Sequence, residues 1–254
     1  MKGTQALRGV LFGIRVLRVA VAEFFFPSVC LVCEGDTDGA PVCDNCLALI
    51  QPIERGFCQL CGRPVSRSRR SYICAECVRK PLALTRVRAW ARFTHPLDKL
   101  VYAFKYARRS RLARFFSRRL ALVVQSDGLL GSADAIVPIP LHASKRWWRG
   151  YNQSELLARE LSSQTGIKML DCIKRRRVTR TQTRLTPEQR RANVEGAFSM
   201  RRSADPLLLA DRKLILLDDV ITSGSTLDAA AEVLLDAGAR EIYGLTVGGA
   251  WIAR

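Results

Sequence analysis

The stretch Leu214-Ile215-Leu216-Leu217-Asp218-Asp219-Val220-Ile221-Thr222-Ser223-Gly224-Ser225-Thr226-Leu227 constrains the fold more than any other part of the chain. An apolar run of this length, bounded by polar turn residues, has the pattern of a strand buried in a parallel sheet. From Ser225 to Ala237 the chain is rich in Ala, Leu, Asp and Glu. It begins there on a capping residue and stops at Gly238, which predicts a helix. The loop between them joins a strand end to a helix N-terminus, where free N–H groups and the helix dipole favour a phosphate. Gly224 permits close backbone approach, and Thr222, Ser223, Ser225 and Thr226 add hydroxyl donors. Asp218 and Asp219 would repel a phosphate unless they face something else. Ribose hydroxyls, or a Mg²⁺ ion bound to them, suit that role. The alternative is an ordinary strand–turn–helix with a solvated Asp-Asp turn.

Nine cysteines come next in weight, because eight of them fall in four C-x-x-C pairs: Cys30 and Cys33, Cys43 and Cys46, Cys58 and Cys61, Cys74 and Cys77. Each quartet has zinc-ribbon spacing, in which two short knuckles close a tetrahedral shell around a structural Zn²⁺. So small and polar a module does not fold on burial alone; metal binding supplies on the order of 10 kcal/mol per site. The quartets pair either sequentially or cross-braced, first pair with third; sequential pairing closes the shorter loops. Redox use of the pairs lacks a thioredoxin-like context. Gly62 sits just after a knuckle, as tight knuckles prefer, and Cys172, alone in an apolar context, reads as a buried thiol. Free thiolates suit a reducing compartment. Arg15 and Arg18 break the N-terminal apolar stretch, and no uncharged run approaches the roughly 20 residues that a transmembrane helix needs. The reading is a cytoplasmic protein.

The expected organisation is an amphipathic N-terminal helix over 1–27, a double zinc ribbon over 28–80 and an α/β domain over 81–254. The first helix carries Leu7, Val10, Leu11, Ile14, Leu17 and Val21 at helical spacing, and either packs on a neighbouring domain or lies on a membrane surface. Further strands are expected over 86–93, 133–140, 171–177, 213–220 and 241–247. The segment 98–124 is helical and basic, with a break near Arg109-Ser110. Its cations Lys105, Arg108, Arg109 and Arg111 are candidates for a nucleic-acid face, the alternative being a solvated one. The whole chain supports the first reading: 41 Lys and Arg against 23 Asp and Glu give a formal charge of +18, which points to a polyanionic partner.

Two other segments suit anions. After the strand ending at Pro140 comes a loop with Lys145, Arg146 and Arg149, followed by a helix over 152–165. Adjacent Trp147 and Trp148 either pack or stack a base. The polar segment 178–194, with Arg180, Arg184 and Arg190, fits a lid that closes over a diphosphate; the alternative is a surface loop.

The Asp218–Thr226 stretch resembles the PRPP (phosphoribosyl pyrophosphate) signature of type I phosphoribosyltransferases. The resemblance implies that Asp218 and Asp219 contact the ribose hydroxyls and that Thr222, Ser223, Gly224, Ser225 and Thr226 cradle the 5′-phosphate. It also implies that Lys145, Arg146 and Arg149 serve the pyrophosphate. The ordered set of two C-x-x-C quartets, Phe104-Lys105-Tyr106, Pro138-Ile-Pro140-Leu-His142, Arg149-Gly150-Tyr151-Asn152-Gln153, Thr181-x-x-x-Leu185, Arg190-x-x-Asn193-Val-x-Gly196-x-Phe198 and Leu217-Asp218-Asp219-Val220 resembles the ComF/ComFC family across nearly the whole chain. Tyr151 stands where that family usually has phenylalanine, and Ser223 where it often has threonine.

The family implies a type I phosphoribosyltransferase-like parallel sheet flanked by helices, with an N-terminal double zinc-ribbon module. It implies two structural Zn²⁺ sites, PRPP with Mg²⁺, and a role with single-stranded DNA in competence or DNA utilisation. Three functions follow as expectations: phosphoribosyl transfer to an unidentified acceptor, PRPP sensing or DNA binding without turnover, and an adaptor docking a helicase or uptake protein through its ribbons.

Overall fold

A computed structural model describes residues 29–65, 72–177, 189, 194 and 196–251. The expected N-terminal helix and the lid arginines Arg180, Arg184 and Arg190 lie outside the described residues. The chain divides into two compact units, Met1–Leu49 and Ile50–Arg254. The first holds an antiparallel bridge between Val29 and Asp36, the first cysteine quartet, and α1 (Asp44–Ala48).

The second unit runs α2 (Ala75–Arg79), β1 (Arg86–Arg92), α3 (Leu97–Tyr106), α4 (Leu112–Ser126), α5 (Gly128–Gly131), β2 (Ala135–Pro138), α6 (Ala143–Arg149), α7 (Gln153–Thr165), β3 (Lys168–Met169), β4 (Ile173–Arg175), β5 (Phe198–Met200), β6 (Lys213–Ile221), α8 (Ser225–Asp236) and β7 (Glu241–Gly249). Five strands form one parallel sheet in the order β1-β7-β6-β2-β3. β6 is central, and Leu214 to Leu217 are fully buried, which is why that run shows no polar alternation.

The topology places the site. β2 and β6 are neighbours, yet the chain leaves β2 outward to β3 and leaves β6 the other way to β7. At such a switch point the loops beyond the carboxyl ends of the two strands diverge and leave a crevice. The loops are the α6 segment after β2 and the hydroxyl loop after β6.

Most sequence-predicted elements are present, with local differences. The strand expected over 171–177 is only β4, and it pairs antiparallel with β5 (Ile173 opposite Met200) as a separate two-stranded ribbon rather than joining the main sheet. β3 is two residues long, too short to show any periodicity. The helix break falls where expected, between Tyr106 and Leu112, with Arg108 at φ 52°. Helix α8 starts on Gly224, in the left-handed region at φ 81° with no side-chain cap, so Ser225 is its first residue and not its cap.

The second cysteine quartet belongs to the same compact unit as the sheet. Residues 51–53 run antiparallel beside edge strand β1, with Ile53 N–H donating to Trp90 O (2.8 Å) and Arg92 N–H to Gln51 O (2.9 Å). The Val87 N–H donates to Leu60 O in the knuckle (2.6 Å). A Cβ on Gly62 would stand 2.7 Å from Val87 O, so the knuckle meets the strand this closely only with glycine. Among the described residues no helix is long and apolar enough to cross a membrane.

Candidate functional site

The eight paired cysteines gather as two sequential clusters, Cys30/Cys33/Cys43/Cys46 and Cys58/Cys61/Cys74/Cys77, with the sulfurs of each within 4.8 Å of one another. Cys33 and Cys43 are 3.7 Å apart, Cys58 and Cys77 3.9 Å, Cys61 and Cys74 3.7 Å. Four sulfurs about 2.3 Å from a tetrahedral Zn²⁺ sit about 3.8 Å apart, so the spacing fits Zn²⁺ and is far too long for disulfides. Backbone N–H groups of Val32 and Cys43 reach Cys30 Sγ, and that of Cys74 reaches Cys58 Sγ. A hydrogen bond from Cys61 holds Cys58 down to about 4 against its burial, while Cys61, as donor and as a buried group, is pushed up. One thiolate is thus favoured at the expense of its neighbour; a divalent cation supplies the charge that lets all four ionise. With four sulfur ligands the sites are closed and structural.

The acid pair ends the central strand. Asp219 is buried and its Oδ1 accepts from Lys105 Nζ at 2.7 Å. Burial works against the Lys105 charge, but Asp219, and behind it Asp218, outweigh this and raise its pKa. Asp218, half-buried, accepts through one oxygen from Ser154 Oγ (3.1 Å) and from the Asp219 N–H (2.9 Å). Burial, then the adjacent Asp219 charge, pushes Asp218 up to about 7. The two carboxylates thus differ: Asp219 is neutralised by a lysine, and Asp218 is poised near neutrality.

Across the crevice, Lys145 and Arg149 of α6 come together with a cation the sequence did not single out, Arg175 of β4. Burial lowers the Lys145 pKa, and the charges of Arg175 and Arg149 lower it further. Burial also lowers Arg175, with Asp218 opposing. Arg149 donates to Gln153 Oε1 (3.1 Å) and to Tyr106 Oη (3.2 Å), while its Nε is buried with no hydrogen-bond partner. Mutually repelling cations with an unused guanidinium N–H suit an anion. Arg146 does not join them; it is exposed and pairs with Glu155 at 3.3 Å. His142 Nδ1 accepts from Ser144 N–H and caps α6, so its role is positional.

The hydroxyl loop sits between this crevice and the second ribbon. Ser223 Oγ and Ser225 Oγ are 2.8 Å apart. Gly224 approaches Leu82, whose Cδ1 would be 3.1 Å from a Cβ there, and Ala83 N–H donates to Asp228 Oδ1 in the first turn of α8 (2.6 Å). A cleft is lined by Thr222, Ser223 and Ser225 on one side and by Arg63, Cys77 and Lys80 of the ribbon on the other.

The basic helices divide. Lys105 turns inward to Asp219, away from any outer nucleic-acid face, whereas Arg108, Arg109 and Arg111 are exposed. Trp147 and Trp148 are exposed too and do not pack into the core. Sequence reasoning missed Ser154 and Arg175 and misplaced Lys105. Lys105 sits in a Phe-Lys-Tyr triplet, whereas Arg175 is one of four consecutive cations, 174–177, that the sequence cannot rank.

A family model for a double zinc ribbon domain matches residues 21–80, and one for a phosphoribosyl transferase domain matches residues 152–247. With the parallel sheet and the two Cys₄ clusters, they define the class: a phosphoribosyltransferase-like α/β domain with zinc ribbons. The chain is 34% identical over 194 residues to the DNA utilization protein YhgH of Escherichia coli O157:H7, covering 74% of this chain and 82% of that one. It is 31% identical over 224 residues to Competence protein F of Haemophilus influenzae (86% and 95% covered) and 26% identical over 203 residues to Competence protein ComFC of Bacillus subtilis (78% and 79%). The chain belongs to the ComF/ComFC family.

Proposed function

We propose that this protein binds PRPP with Mg²⁺ in the crevice between β2 and β6 and handles single-stranded DNA in natural competence or DNA utilisation, in the cytoplasm. One observation supports the reading: the acid pair on β6 runs directly into the hydroxyl loop, and the Asp218 charge acts on Arg175, which clusters with Lys145 and Arg149. Asp218 and Asp219 meet the ribose hydroxyls, Thr222 to Thr226 the 5′-phosphate, and Lys145, Arg149 and Arg175 the diphosphate. Asp218 and Asp219 are the carboxylates that would hold a Mg²⁺ ion here, and that ion would neutralise diphosphate charge. Cations on the leaving diphosphate and carboxylates beside the ribose favour a C1′ that becomes positive as that bond breaks, so the site suits phosphoribosyl transfer.

A second reading, PRPP binding without turnover, has its own support. The sequence holds two histidines, and each has a local partner, His142 in the cap of α6 and His95 beside Asp98 at 3.7 Å; neither is singled out as a base for an acceptor. In that case the protein is a PRPP-responsive DNA adaptor that docks a helicase or uptake partner through its ribbons. Calorimetry with PRPP and Mg²⁺ tests the shared premise. Wild type gives saturable heat, and the Asp218→Ala/Asp219→Ala variant gives none; wild type without heat refutes the site. Pyrophosphate release in the presence of single-stranded DNA or free bases then separates transfer from sensing.

A further inference from the structure

Four large aromatic side chains crowd one exposed part of the α/β unit. Trp147 is 86% exposed, Trp148 62%, Tyr102 51% and Tyr106 45%. Tyr102 and Tyr106 lie one turn apart on α3, their ring centroids separated by 5.8 Å. Tyr106 continues to Trp148 on α6 at 5.9 Å. The core face of α3 is made by Leu97, Leu100, Val101 and Phe104, so the tyrosines form a second stripe that the fold does not need for packing. Solvent-facing aromatic surface of this extent on a folded domain marks an interaction site.

Charge says what kind. The Arg149 guanidinium lies 4.8 Å from the Tyr106 ring centroid. Just beyond α3, Arg108 Nε comes within 3.9 Å of the Cβ position at Gly150, so it bridges the ends of α3 and α6. Arg108, Arg109 and Arg111 are exposed, and among the described residues no carboxylate pairs with them. A row of aromatic rings edged by unneutralised arginines matches the two surfaces of a single-stranded nucleic acid, base faces and phosphates. A duplex hides its base faces. An amphipathic membrane helix inserts a continuous apolar face, and the seven residues of α6, Ala-Ser-Lys-Arg-Trp-Trp-Arg, carry only the two tryptophans among three cations.

We propose that Tyr102, Tyr106 and Trp148, with Trp147 beside them, form a base-stacking platform for single-stranded DNA whose phosphates are met by Arg108, Arg109 and Arg111. The proposal rests on the DNA-handling reading above and names its surface. The platform borders the sugar site: Lys105, next to Tyr106, pairs with Asp219, and Arg149 joins Tyr106 to Gln153, beside Ser154 on Asp218.

The test uses the full-length, zinc-loaded protein and a fluorescent 20-nucleotide oligothymidylate, with a duplex of equal length and phosphatidylglycerol vesicles as competitors. Wild type binds the single strand more tightly than the duplex. Trp148→Ala and Tyr102→Ala each weaken that binding about tenfold, Trp148→Phe restores most of it, and both alanine variants keep wild-type PRPP heats, which shows that they are folded. Oligonucleotide affinity unchanged in the Trp148→Ala/Tyr102→Ala double variant overturns the platform while leaving DNA handling intact. Wild type that binds no oligonucleotide overturns both, and one displaced only by vesicles assigns the surface to lipid instead.

Discussion

Asp218 and Asp219 are adjacent in the chain but occupy different electrostatic situations. Lys105 neutralises Asp219, whereas Asp218 has a serine hydroxyl and a backbone N–H, and its value rises to about 7. A carboxyl whose folded value is raised binds its proton more tightly when folded than when unfolded. Its native state is therefore progressively destabilised as pH climbs from about 4, the unfolded value, through about 7. Removing the charge removes that penalty. The prediction is that Asp218→Asn melts a few degrees higher than wild type at pH 8 in the absence of PRPP, that the gap closes as pH falls toward about 4, and that PRPP binding is lost. A gap independent of pH would show that Asp218 does not titrate in this range. The acid pair was legible in the sequence because it interrupts an apolar strand. Its asymmetry was not, because the lysine that creates it lies 114 positions away, on a helix whose other cation, Lys99, faces solvent.

The strand–loop–helix element was legible for a local reason: a buried strand, a turn and a helix each leave their own periodicity. What holds the loop in place is not local. Leu82 packs on Gly224, Ala83 N–H caps Asp228, and the second ribbon's knuckle bonds to β1 through Leu60 and Val87. The compact unit that contains the hydroxyl loop also contains the second quartet and not the first. The two Zn²⁺ sites should therefore differ in consequence. Cys58→Ser/Cys61→Ser, losing one zinc by native mass spectrometry, should weaken PRPP binding at least tenfold, since the folding energy of that ribbon also braces the loop. Cys30→Ser/Cys33→Ser should likewise lose one zinc but keep PRPP affinity within about twofold, because the first quartet lies in the other compact unit. Equal losses from both variants would mean that the ribbons act on the loop together.

At the scale of the whole molecule the 41 basic residues, unlike the net charge, overstate the cations free to meet a polyanion. Of the cations on the basic helices, Lys105 is turned in to Asp219, and Arg119 lies over the Phe115 ring (3.7 Å) and donates to its carbonyl. Arg86 and Arg88 are spent on Asp127, at 3.0 and 2.8 Å. The formal +18 was legible from composition, but which charges remain available to a polyanion is a matter of packing. Of the expected candidates Lys105, Arg108, Arg109 and Arg111, the last three stay exposed on the turn beside the aromatic ladder, and Arg114 and Arg118 are exposed further along α4. Binding that rests on this turn releases counterions from the strand, so affinity for oligothymidylate should fall steeply with salt. Each phosphate neutralised contributes about 0.7 to the slope of log K against log salt for a single strand. Replacing the three arginines by glutamine should therefore flatten the slope by about 2. Trp148→Ala should weaken binding at every salt concentration and leave the slope as it is, because stacking displaces no counterion. An unaltered slope in the triple variant would move the phosphate contacts to other cations, and binding indifferent to salt would remove the electrostatic ground for a DNA partner altogether.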